Sequence, residues 1–323
     1  MVTDETIEPA KKDFQGCVIM RNKARILTVL LVVAYGSGIA NACTIFTVCR
    51  GDVVLFGNNE DYTNPKTHYW VIPSEESKYG GVYFGFDDSV EQGGVNEKGL
   101  SYDINGLPEA PLNSHPELPE PNDWIVRVMM NECGTVKEAI AMVKSYNWGD
   151  SLKWQMHLAD ATGDAVVISA GPDGELAFSR KPAGDAYLVS TNFNLANRKN
   201  TYSYPCQRYN TAARMLDALD SSQKPTVDYC RSILDAVHVE GPVSNTLYSN
   251  VIDLSSGVIY LYHWHQWDEV VTLDITEQLA KGSQRGRISD LFSSETTKKA
   301  SDEYQRYNKK KKVEKKKPWW KFW

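Results

Sequence analysis

The sequence Ala40-Asn41-Ala42-Cys43 carries the most reactive arrangement in the chain. Upstream, Arg21, Lys23 and Arg25 form a basic region, and "ILTVLLVVAYG" (Ile26 to Gly36) is an apolar run shorter than the about 20 residues of a membrane span. Ala40 and Ala42 then supply small side chains at the two positions a signal peptidase needs. This pattern predicts a secretory signal, residues 1–42, cleaved before Cys43, and a secreted or periplasmic mature protein. The nineteen residues before Met20 are mostly polar, so translation starts at Met20 or the basic region is extended; the sequence leaves both open.

Cleavage after Ala42 would change the chemistry of Cys43. A buried cysteine inside a chain is usually an inert small hydrophobe. At an N-terminus it gains an α-amine, with a reference pKa of about 7.7 to 8.0 beside a thiol at about 8.5, so a proton can pass between them near neutrality. One residue then supplies nucleophile and base. Two plainer readings stand beside this one: a packed or disulfide-bonded cysteine opening a strand, or the acylated cysteine of a lipoprotein. The second fits poorly, because Ala40 and Asn41 are atypical for a lipoprotein box.

The elements that would position Cys43 follow directly. "TIFTVC" and "DVVLFG" read as strands and "CRGD" as the tight turn between them, so a hairpin returns "GNNEDY" (residues 57–62) to the new N-terminus. Asn58, Asn59, Glu60 and Asp61 thereby come within reach of Cys43.

A leading Cys-Thr, a hairpin and Phe-Gly-x-Asn-x-Asp resemble the choloylglycine hydrolase and penicillin V acylase family of N-terminal-nucleophile hydrolases. "GGVNEKGLSYDINGLP" (Gly93 to Pro108), "WQMHLADATGDAVVISA" (Trp154 to Ala170) and "YLVSTNFN" (Tyr187 to Asn194) match further segments in order, and the resemblance runs from Cys43 to about Thr272. It implies an α+β, four-layer αββα fold of two packed antiparallel sheets flanked by helices. It also implies amide hydrolysis without a cofactor. Cys43 would attack the carbonyl, Asp61 would hold the α-amine, and Asn192 would donate to the oxyanion with a backbone amide near Asn105 as second donor. Read plainly, Asp61 is a turn residue and both asparagines cap loops. Asn58 stands where the family usually has arginine, and a second arginine has no match, Asn245 lying nearby; both are expected to face substrate. The missing charges keep bile-salt or penicillin specificity from being carried over. What remains is hydrolysis of a small N-acyl amide.

Helical spacing over residues 122–148 predicts two helices with Asp123 and Thr135 as N-caps, and two more helices fall in "CQRYNTAARMLDALD" and "TVDYCRSILDAV". Helix pairs alternating with hairpins favour layered α+β over a doubly wound sheet. The hydrolase domain is expected over residues 43–290, followed by a disordered tail over 291–323, polar and then rich in Lys and Trp. That tail could instead bind an anionic membrane peripherally. "HYWVIP" and "YGGVYFGF" are candidate pocket loops or core strands.

His263 and His265 have strand spacing that would put both on one face, but no third ligand follows them, so no metal is expected. Five cysteines remain after cleavage, an odd number that fits one free thiol and up to two disulfides; Cys206 and Cys230 could link the two late helices, and the connectivity stays open. Residues 43–308 carry a formal charge of −14 within a total of −6, which disfavours nucleic acid as a partner. Homo-oligomers are common among such relatives. Two rivals stay open: a dipeptidase of the same broad fold, whose motif also pairs Cys-Thr with Asn-Glu-Asp, and a lipid-anchored, non-catalytic binding protein.

Overall fold

β-Branched and apolar residues at period two build the first hairpin, β1 (Thr44–Arg50) and β2 (Val53–Tyr62), around Gly51, whose φ of +64° suits a residue without Cβ. The computed structural model describes residues 43–181, 186–198, 204–220 and 222–316, with side chains through residue 309. The expected signal region and the Trp-rich end lie outside these residues.

An antiparallel meander follows: β3 (Thr67–Ile72), β4 (Gly81–Phe86), β5 (Glu91–Asn96) and β6 (Ser101–Pro111). Two helices, α1 (Ile125–Glu132) and α2 (Val136–Val143), lead to β7 (Ser151–Ala159), β8 (Ala165–Ala170) and β9 (Leu176–Arg180). β10 (Tyr187–Ser190) returns to β1, and α3 (Gln207–Ala218) and α4 (Val227–Val237) precede β11 (Asn245–Asp253), β12 (Val258–His263) and β13 (Val271–Asp274). The chain continues through α5 (Ile275–Ala280), β14 (Gln284–Arg287) and α6 (Ser294–Lys316).

Hydrogen bonding sorts the strands into two antiparallel sheets, a six-stranded one in the order β10-β1-β2-β11-β12-β13 and an eight-stranded one in the order β14-β3-β4-β5-β6-β7-β8-β9. Between the sheets, Ile45, Val54 and Phe56 meet Val82, Phe84 and Val95. Outside the larger sheet, Tyr102, Leu100 and Leu158 pack under Met129 and Met130 of α1 and Val136 of α2. Outside the smaller one, Phe46, Leu55 and Val251 pack under Leu216 of α3 and Ile233 and Leu234 of α4. The result is the four-layer αββα arrangement that the sequence implied.

Thr135 caps α2 through a full capping box with Glu138, as its sequence predicts, an arrangement worth about 1 kcal/mol. Asp123 is displaced by one position: Trp124 is the N-cap of α1, while the Asp123 carboxylate accepts from the Trp124 amide at 2.6 Å and pairs with Arg127. The aromatic segments form strands β3 and β4, and Ile72, Pro73, Tyr79 and Tyr83 from them also line a pocket with Trp124 and Arg127. Residues 294–316, expected to be disordered, form α6, because Ala300 and Tyr304 lie one turn apart and pack with Phe292 against the inter-sheet core. Among the described residues, no helix is long and apolar enough to cross a membrane. All five described cysteines are free thiols, so the expected Cys206–Cys230 disulfide is not formed.

Candidate active site

Register along β2 decides what meets Cys43. Thr44 pairs with Asn59, so Cys43 falls opposite Glu60, and its Sγ lies 3.6 Å from Glu60 Oε1. Phe56 faces the inter-sheet core, and strand alternation turns Asn58 and Glu60 the same way. Asn59 faces the other layer, where its amide donates to the Leu234 carbonyl of α4 at 2.8 Å and its oxygen accepts from Ser249 at 2.6 Å. A bulge in β11 between Thr246 and Tyr248 then shifts Asp61, which accepts from the Thr246 hydroxyl.

Three carboxyl groups surround the Cys43 thiol: Glu60, Asp61 and, from β6 of the other sheet, Asp103. Exposure is 3% for Cys43 and Glu60 and 1% for Asp61 and Asp103. Burial first, and then the neighbouring acids, push the thiol well above its ordinary value, while the Asp61 backbone amide works against that rise. Burial raises Glu60 to about 8, helped by Asp61 and opposed by the Cys43 thiol and the Asn58 amide. Asp61 rises to about 7 through burial, restrained by Arg208, Thr246 and His238. Asp103 is also held well above the carboxylate range, by burial and by Glu60. Glu60 Oε2 and Asp61 Oδ2 are buried without a hydrogen bond, and so is the Tyr248 hydroxyl, which feels Glu60, Asp103 and Cys43.

A cation reaches this focus from a helix. Arg208, in the first turn of α3, donates to the Cys43 carbonyl and the Thr44 hydroxyl at 2.8 Å each and to Asn192 Oδ1 at 3.1 Å, and it lies 3.8 Å from Asp61 Oδ2. Asn192 also donates to the Gly106 carbonyl at 3.0 Å. The Asn105 side chain donates to the Cys43 carbonyl at 3.3 Å and is itself held by Gln155 at 3.4 Å. Nearby, His157 bridges Thr47 and Ser190 at 2.9 and 3.0 Å, and burial lowers it to about 3, so it stays neutral.

Cys43, Asp61, Asn192 and Asn105 thus come together, and Asn58 lies in the same buried layer, opposite Ile45 and Asn250. Asn245 does not join them. It pairs with Tyr62 and clamps the 241–245 turn, accepting from the Gly241 amide at 3.0 Å and donating to its carbonyl at 2.8 Å. The expected one-face pair of His263 and His265 is also absent: His263 packs on Phe292, while His265 stacks on His238. Arg208, Glu60 and Asp103 went unassigned in the sequence. Glu60 had a signal, since it shares the hairpin end with Asp61; Arg208 and Asp103 are brought in by tertiary packing.

The family model of acyl-coenzyme A:6-aminopenicillanic acid acyl-transferase matches residues 48–264. Among solved structures, penicillin V acylase from Agrobacterium tumefaciens superposes with a TM-score of 0.60 at 18% identity, covering 76% of this chain and 92% of its own. A mutant of the conjugated bile acid hydrolase from Clostridium perfringens gives a TM-score of 0.57 at 15% identity, covering 75% and 96%. These likenesses establish the shared fold. No curated protein matches the chain.

Proposed function

The chain belongs to the acyl-coenzyme A:6-aminopenicillanic acid acyl-transferase family, and from that premise we propose that it hydrolyses a linear N-acyl amide with Cys43 as N-terminal nucleophile. Removal of a secretory signal ahead of Cys43 would generate the active form outside the cytoplasm. The observation that carries this reading is the convergence of Glu60, Asp61 and Arg208 on the main chain and thiol of one residue at the head of β1.

With residues ahead of it, Cys43 has no α-amine, and burial first, then the acids around it, hold its thiol protonated. Cleavage would give Cys43 an α-amine, and its protonated form, an ammonium, would have Glu60 Oε2 and Asp61 Oδ2, two buried oxygens without a hydrogen bond, as acceptors in the same layer. The positive charge then favours both the carboxylates and the thiolate. With the α-amine neutral at the start, it takes the thiol proton as sulfur bonds to the amide carbon, becoming that ammonium, and it gives the proton to the leaving amine as the C–N bond breaks. Water hydrolyses the resulting thioester by the reverse route.

Asn192 supplies an amide donor for the oxyanion after releasing Gly106, with Arg208 fixing its carbonyl end. Arg208 also takes the part of a cation near the nucleophile, so the neutral Asn58 leaves no deficit of charge. A cleft of about 300 Å³ lined by Leu107, Pro108, Glu109, Ala110, Pro111 and Asn194 opens next along the chain from Gly106 and Asn192 and would offer an acyl group a partly apolar wall. A diacylglyceryl anchor on Cys43 fits poorly, since the residue is only 3% exposed.

The test compares N-acyl amides with dipeptides as substrates for the chain beginning at Cys43. Release of free amine from acyl amides, lost in Cys43→Ala, is expected; turnover of dipeptides alone would overturn the acyl-amide reading.

A further inference from the structure

We propose that His238, Glu240, His265 and Glu303 form a site for a divalent transition-metal ion, zinc by its donor chemistry, that ties α6 to the body of the fold. The four side chains come from three parts of the sequence: His238 and Glu240 from the end of α4 and the loop after it, His265 from the bend after β12, and Glu303 from α6. His238 Nε2 lies 2.9 Å from Glu240 Oε1. His265 Nε2 lies 2.9 Å from Glu303 Oε2 and 3.9 Å from Glu240 Oε1. The two imidazoles stack at 4.9 Å with an interplanar angle of 21°. Ligand atoms of His238, Glu240 and His265 all fall within 4.8 Å of one another. Tetrahedral zinc, with bonds of about 2.0 to 2.1 Å, separates its donors by about 3.3 Å, so the three would close by side-chain rotation, with Glu303, outside that group but paired with His265, swinging in as the fourth donor.

Hydrogen bonding on the far side of each ring points to a cation. His238 Nδ1 faces the Asp235 carbonyl, and His265 Nδ1 lies 3.4 Å from the Thr246 carbonyl. A ring whose Nδ1 is held by a main-chain oxygen keeps its proton there and presents the Nε2 lone pair, which is how metal-bound histidines are oriented. Both Nε2 atoms face carboxylate oxygens, and the Asp235 carboxylate stands 3.3 Å from His238 Nδ1 as well. One divalent ion would offset both carboxylates and bind both lone pairs. Without an ion, a proton on each Nε2 would serve the same carboxylates, but His265, a residue 8% exposed, makes no hydrogen bond of proper geometry through its Nε2. The backbone supports a built site as well: Trp264 and His265 are held at φ of +50° and +39°, a region costly for side chains of this size. One turn beyond Glu303, the Tyr307 hydroxyl donates to Glu240 Oε2 at 2.8 Å and orients it from the same helix.

The chain beginning at Cys43, freed of metal with a chelator, would be titrated with Zn²⁺ by calorimetry and with Co²⁺ by absorption. One equivalent should bind, with tetrahedral cobalt bands, no thiolate-to-cobalt charge transfer, and a zinc-dependent rise in Tm. His265→Gln and His238→Gln should each weaken binding by at least the about 10- to 100-fold that loss of an outer partner costs. Glu303→Gln, on α6, provides an independent variant should the buried histidine prove necessary for folding, and it should abolish most of the rise in Tm. His115→Gln, in an exposed His–Glu cluster elsewhere, should change nothing. No binding, binding unaltered in His238→Gln and Glu303→Gln, or a thiolate band assigning the ion to cysteine would each overturn the proposal.

Discussion

Phe56 and Glu60 lie on the same face of one strand, four residues apart, yet they belong to two different interiors. Around Phe56 the space between the sheets is filled by Ile45, Val82, Phe84, Val95 and Leu261, with a neutral His157 at its margin. Around Glu60 the same layer holds Cys43, Asp61, Asp103, Asn58, Asn105 and Asn250, all buried. Packing explains the first region. The second costs stability, because buried carboxyls and unpaired amides lose their hydration. A region that stability alone would fill with leucine is instead organised around one thiol and its main chain, as the proposed nucleophile would require.

The largest expected effect that sharpens this contrast lies on the apolar side. Phe56→Ala should lower unfolding free energy by about 3 to 5 kcal/mol in denaturant melts, while the folded fraction retains its turnover. On the polar side, Asn192→Ala should leave the melt nearly unchanged and reduce kcat/KM by about 10² to 10³, the usual cost of an oxyanion donor. Equal losses of stability in the two variants would erase the distinction between the regions.

Acidity gives a third comparison, made on chain that retains residues ahead of Cys43. Glu60 and Asp61 hold protons up to about 8 and about 7 when folded, against ordinary values of 4.5 and 3.8. The folded state therefore binds more protons than the unfolded one between these limits. Its stability should be fullest at the acid end and fall, by on the order of a few kcal/mol, as pH rises from about 4 to 8. Thermal melts across that range should show the decline, and Glu60→Gln should flatten it; a stability that rises toward pH 8 contradicts the protonated cluster. Smallest of all, Asn245→Ala should cost about 1 kcal/mol by releasing the Gly241 turn and leave kcat untouched.

How much of this was legible in the sequence depended on distance along the chain. The first hairpin could be read because β-branched alternation and Gly51 lie within twenty residues of Cys43, and the α2 cap because Thr135 and Glu138 are three apart. Asp61 and Asn192 were reached through segments in family order. Arg208 gives no local sign of its role, since only the packing of α3 on the first sheet carries its guanidinium to Cys43. Asp103 likewise becomes a partner of Glu60 only when the two sheets stack. Residues 294–316 looked like a solvated tail because the apolar contacts that hold α6, Ala300 and Tyr304, are sparse among charges. The histidines were misjudged for a related reason: strand spacing relates His263 to His265, but the bend at Trp264 turns His265 toward His238.

The central claim is that Cys43 acts only with its own α-amine free. The direct measurement is single-turnover acyl transfer from an N-acyl amide, followed by intact mass, on two otherwise identical chains, one beginning at Cys43 and one retaining Ala42. A thioester on the first and none on the second is the predicted result, whereas equal acylation of both contradicts it.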